Sequence, residues 1–82
     1  MILPTIHLNG TSRETLSQEY QTAWRAARKA REALAETTCH ARDYYVHPQD
    51  GAFSEAQLER VKNLQMLDHV INYLEDHVMH LM

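Results

Sequence analysis

His69, Tyr73, His77 and His80 follow one another at intervals of four, four and three, so a helix would hold them on one face. Asp76 stands four residues before His80. Imidazoles and carboxylates at such spacings are how a helix presents ligands to a divalent metal. The pattern lacks HEXXH, and no second helix carries histidines. A further ligand would have to come from His7 or from another chain. Interface or surface histidines are the plainer account, with imidazoles that titrate near neutrality. No metal and no other cofactor is expected.

Three other groups of residues invite chemistry. Arg25, Arg28 and Lys29 share a helix face, with Trp24 and Arg31 alongside and Glu32 four residues after Arg28. A solvated face with internal ion pairs accounts for them. The alternative is a contact for an anionic ligand or a partner protein. Arg42-Asp43-Tyr44-Tyr45 places two aromatic faces beside a guanidinium in a connecting segment. That combination suits a planar, phosphorylated molecule such as a nucleotide. The plainer account has one tyrosine sealing the connection and Arg42-Asp43 as a local ion pair. Finally, Asn9-Gly10-Thr11-Ser12 exposes hydroxyls and free amides at a helix start, where anions bind, although capping alone explains it. Cys39-His40 are mere sequence neighbours, and no catalytic constellation emerges. A non-enzyme is expected.

These residues need elements to hold them. Pro4 and the β-branched residues around it give an extended arm, closed by the Asn9-Gly10 turn, over residues 1–11. Thr11-Ser12-Arg13-Glu14 fits a capping box with Thr11 as the cap, and the first helix is expected over 12–37. Leu16, Tyr20, Ala23, Ala27, Ala30 and Leu34 recur at spacings of four and three, a heptad seam with an alanine centre. Trp24 lies beside that seam. Residues 38–53 connect, with Pro48 and Asp50-Gly51 as turn signals. Ser54-Glu55-Ala56-Gln57 repeats the capping grammar and opens a second helix over 54–81. Its stripe is Leu64, Leu67, Ile71, Leu74, Val78 and Leu81, widened by Leu58, Val61, Met66, Val70, Tyr73 and Met79.

The expected fold is therefore all-α, an antiparallel two-helix hairpin with a short extended N-terminal arm. Eighty-two residues allow one domain. Two glycines and two prolines argue against a loop-rich β fold, and one cysteine against an intrachain disulfide. The longest apolar run, Met1 to Leu3, is too short for a membrane span. No basic stretch precedes an apolar one at the N-terminus, so a secretory signal is not expected and a cytoplasmic setting is. The net charge of −3 disfavours nucleic acid. That charge is uneven. Residues 11–36 carry five cations against four carboxylates, and residues 53–82 two against five. The apolar face of the second helix is broader than one alanine-lined helix can cover. A lone hairpin of this size buries little, so a homo-oligomeric bundle is expected.

The strings IHLNGTS (6–12) and RDYYV (42–46), followed by a long helix, resemble small accessory proteins encoded by tailed phages and prophages of Gram-negative bacteria. The resemblance spans most of the chain. It implies a protein acting in the host cytoplasm, where such proteins often neutralise a host defence component or its nucleotide signal. Asn9, Thr11 and Ser12 lie a full helix away from Arg42, Tyr44 and Tyr45. They meet only if a second copy packs antiparallel, and the expected ligand site is shared across such a subunit boundary. The alternative is a host protein bound through Trp24, Arg25, Arg28 and Lys29.

Overall fold

A computed structural model describes residues 1–82. Two long helices, α1 (Arg13–Glu36) and α2 (Ala52–Leu81), run antiparallel, joined by a connector that holds one 3-10 turn at Ala41–Asp43. There is no strand. The molecule is a rod of 61 × 21 × 16 Å. No helix is long and apolar enough to cross a membrane.

The caps fall one to three residues from where the sequence grammar puts them. Ser12, not Thr11, caps α1. The Thr15 amide donates to Ser12 Oγ at 3.1 Å, and Ser12 Oγ also donates to Thr15 Oγ1 at 2.9 Å. Glu14 then places its charge in the first turn, where the helix dipole favours it. At the other end no basic residue of α1 meets the last carbonyls. Arg60 of α2 does so instead, donating to the Ala35 carbonyl at 2.6 Å and to Thr37 Oγ1. The second helix starts at Ala52, two residues before the expected 54, with Gly51 as its cap in the left-handed region (φ +73°). Gly51 accepts from the Glu55 amide through its carbonyl, so Asp50-Gly51 turns directly into the helix and the Ser54 box is not used as a cap. The Asn9-Gly10 turn forms, with the Gly10 amide on the His7 carbonyl at 3.2 Å. A Cβ at Gly10 would sit 2.7 Å from Nε2 of the exposed His7 ring, which would swing aside to admit it.

The α1 seam is rotated from the expected alanine line. The residues turned toward α2 are Leu16, Tyr20, Trp24, Ala27, Arg31 and Leu34, while Ala23 and Ala30 are exposed. Trp24 therefore lies in the seam, not beside it. Covering an indole removes far more apolar area from water than covering a methyl, and rotation by one residue achieves that. Arg31 takes the place given to Ala30 because Asp68 faces it: Nε donates to Oδ1 at 2.9 Å and Nη2 to Oδ2 at 3.5 Å. On α2 the expected stripe does face inward, and Leu74 and Leu81 are buried.

The N-terminal arm is docked. Leu3, Pro4 and Ile6 are half-buried, and His80 Nε2 donates to the Pro4 carbonyl at 2.8 Å. Met1 and Ile2 stay largely exposed and border an open depression with His69, Asn72, Tyr73 and Asp76. His69, Asn72 and Asp76 lie on the side of α2 away from α1, whereas Tyr73 reaches back toward Tyr20 of that helix.

Candidate functional site

The histidine face divides into three separate roles. His77 is buried at 1% exposure. It stacks on Tyr20 across the hairpin (4.4 Å between ring centres, 16° between planes) and meets Tyr73 at 4.4 Å and 45°. A carbonyl cannot donate, so the 2.8 Å contact with the Tyr73 carbonyl puts the proton on His77 Nδ1. His80 is engaged by the arm and His69 is exposed beside it. No three His, Cys, Asp or Glu side chains converge on a point where a metal could sit. The tyrosine pair matters to the same cluster. Burial, and then the neighbouring Tyr73 phenol, hold the Tyr20 hydroxyl above its ordinary pKa.

The basic run lines a broad depression between the helices. Arg25, Arg28, Lys29 and Arg31 of α1 face Asp68 and Ile71 of α2 across an open groove of ≈ 910 Å³, with Glu32 and Glu36 on its rim. The expected Arg28–Glu32 ion pair does not form. Arg28 lies instead over the Trp24 ring at 4.7 Å, and Arg25 donates to Gln21 Oε1 at 3.2 Å. The indole thus serves as a floor for a guanidinium. Its Nε1 is buried without a hydrogen-bond partner. Arg31 is held above its ordinary pKa, first by its hydrogen bond to Asp68 and then by that carboxylate's charge.

The connector residues part company. Tyr44 packs on Phe53 (5.9 Å, 41°) and seals the end of the hairpin. Tyr45 stands out at 80% exposure, with Arg42 also exposed. The expected Arg42–Asp43 ion pair is absent. The turn is fixed by His40 instead, whose Nδ1 accepts from the Arg42 amide at 3.1 Å. That contact commits the His40 Nδ1 lone pair, and Cys39 beside it is half-buried. Asn9, Thr11 and Ser12 are exposed at the opposite end of the rod. One chain therefore does not bring the two halves of the expected ligand site together. Between them lies an apolar surface with Tyr73 at its edge beside the arm: Met66 is 64% exposed, and Val70 and Tyr73 43% each.

The features sequence reasoning missed are contacts between elements: the Arg31–Asp68 pair, Arg60 on the end of α1, the Tyr20–His77–Tyr73 stack and the arm on α2. One signal was available. Tyr20, Trp24, Ala27 and Arg31 also follow helical spacing, and they include the bulkiest side chain of the helix.

Comparison of the chain with protein-family models, with curated proteins and with solved structures returns no match.

Proposed function

We propose that the chain is a non-catalytic binding protein that works as a homo-oligomer and sequesters a small, nucleotide-like molecule at boundaries between its copies. One observation carries this. The hairpin buries only two leucines and a histidine, while Met66, Val70 and Tyr73 stay in contact with water. A chain this poor in core gains most by covering that surface with another copy. At such a boundary Arg42 and Tyr45 of one copy would supply a guanidinium and a free aromatic face. Asn9, Thr11 and Ser12 of another would supply hydroxyl and amide donors. Tyr44, spent on Phe53, would hold the connector in shape without touching the ligand. The likeness of residues 6–12 and 42–46 to phage accessory proteins supports a host-cytoplasm setting and a defence signal as the molecule removed.

The test is native mass spectrometry of the purified protein with calorimetry against a panel of mono-, di- and cyclic nucleotides. The expected result is an oligomer that retains or binds a nucleotide and releases it unaltered. Arg42→Ala and Tyr45→Ala should each weaken binding at least tenfold. A folded oligomer that binds nothing in the panel refutes the proposal, and so does turnover of the nucleotide.

A second mode is favoured by the Arg25–Arg28–Lys29 groove and its Trp24 floor: docking of an acidic segment of a host protein. A ligand-independent complex from infected-cell lysate that Arg28→Glu abolishes would select this mode.

A further inference from the structure

The two sides of the hairpin differ in kind. On one side Arg25, Arg28 and Lys29 meet Asp68 across the groove. At 100° per residue, Ala26, Ala30 and Ala33 leave α1 on the other side of the seam, and all three are exposed. Met66, Val70 and Tyr73, at i, i+4 and i+7, form a ridge on the same side of α2. The result is a shallow surface spanning both helices, apolar at its centre, with Glu19 beside Ala23 and Ala26 toward one end. Met1 and Ile2 of the arm border this surface at Tyr73 and leave Met66 and Val70 open.

We propose that this surface is where a second copy docks, about a two-fold axis that crosses the helices at right angles level with Val70. The inference rests on the homo-oligomer proposed above and names its face. Two arguments carry it. The first is area. α1 has 24 residues, about 36 Å at 1.5 Å each, and two helices side by side are about 20 Å wide. That gives roughly 700 Å² per copy and about 1,400 Å² in total, within the range of stable specific interfaces. The second is position. Arg31 opposite Asp68, and Tyr20 opposite His77, put Val70 level with Arg28, midway between Ala26 and Ala30. Ser12 lies 16 residues, about 24 Å, along α1 from that level, and Ser54 lies 16 residues, about 24 Å, along α2 in the opposite direction. A two-fold axis at the centre of the apolar surface therefore lays the Asn9–Ser12 turn of one copy beside the connector of the other. Ala26 of one copy meets Ala30 of the next, which lets the two α1 helices approach closely. Val70 meets Val70, and both charged grooves face outward.

A rival two-fold axis running along the helices would stack α1 on α2 and connector on connector. A cysteine at Val70, in a Cys39→Ser background, separates the two. Only the crossing axis brings the two copies of residue 70 within disulfide reach. The expected results are light scattering at twice 9.6 kDa or a higher multiple, and near-complete covalent dimer on mild oxidation of Val70→Cys. Ala30→Glu, at a position exposed in the single hairpin, should keep its helical circular dichroism and lose on the order of 100-fold in self-association. An oligomer that survives Ala30→Glu, or that leaves Val70→Cys uncrosslinked, overturns this face while sparing the oligomer. A 9.6 kDa particle at all concentrations overturns both.

Discussion

Leu81 is the penultimate residue, where chain ends ordinarily fray and substitutions cost little. Here it is 2% exposed, among the best-covered side chains in the molecule, whereas Met82 beside it is 83% exposed. Leu81→Ala removes three carbon atoms from that environment, worth about 2.4 kcal/mol of transfer free energy. Cavity and relaxation effects leave the total near 2–3 kcal/mol. An 82-residue chain unfolds with roughly 170 cal/mol/K of entropy, so the loss lowers Tm by about 15 °C. Association does not change this figure, because every copy in an assembly carries the same change. Thermal melts followed at 222 nm, with Met82→Ala as the adjacent control, give the comparison directly. Met82→Ala should stay within about 2 °C of the parent. If Leu81→Ala does the same, the last turn of α2 is not packed as the burial of Leu81 requires.

Three further outcomes follow from the same contacts. If copies cover one another, a dimer of 164 residues unfolding as a unit has an enthalpy of about 115 kcal/mol, so Tm should rise about 4 °C per tenfold increase in concentration; superimposable melts from 5 to 500 µM would exclude the assembly. Tyr20 is held above its ordinary pKa in the folded state, so its contribution is complete below the unfolded value of 10 and is lost as pH rises through the higher folded value. Melts between pH 8.5 and 11.5 should decline at the alkaline end, and Tyr20→Phe should flatten that decline. Gly51→Ala meets no atom within 4 Å of the new Cβ, so its cost is the left-handed backbone alone, about 1 kcal/mol and 6 °C in Tm; no change in Tm would mean the cap adopts another conformation.

The helices were legible because each is carried by local signals: no Gly or Pro inside α1, hydroxyl and glycine punctuation at its ends, and a three-four apolar rhythm along α2. The hand of the α1 seam was not. Its rhythm fits Ala23–Ala30 as well as Trp24–Arg31, and the choice depends on Asp68, which lies 37 residues from Arg31. The histidine face was legible as a face but not as a division of labour. His77 is a core residue because Tyr20 arrives from the other helix, and His80 is engaged because the arm returns to it. Of the connector, a tyrosine sealing the hairpin end was legible, whereas its being Tyr44, on Phe53, and the absence of an Arg42–Asp43 pair required the fold.

The strap formed by residues 1–6 has a temporal side. Its partner His80 lies 76 residues downstream of Pro4, and His69 to Asp76 border it. During synthesis the opening segment therefore leaves the ribosome with nothing to bind, and Ile2, 93% exposed even in the finished chain, waits with it. The strap can be tied down only once the end of α2 has been made. A break anywhere in the last three turns of α2 would leave residues 1–6 without the His80 contact that ties them down.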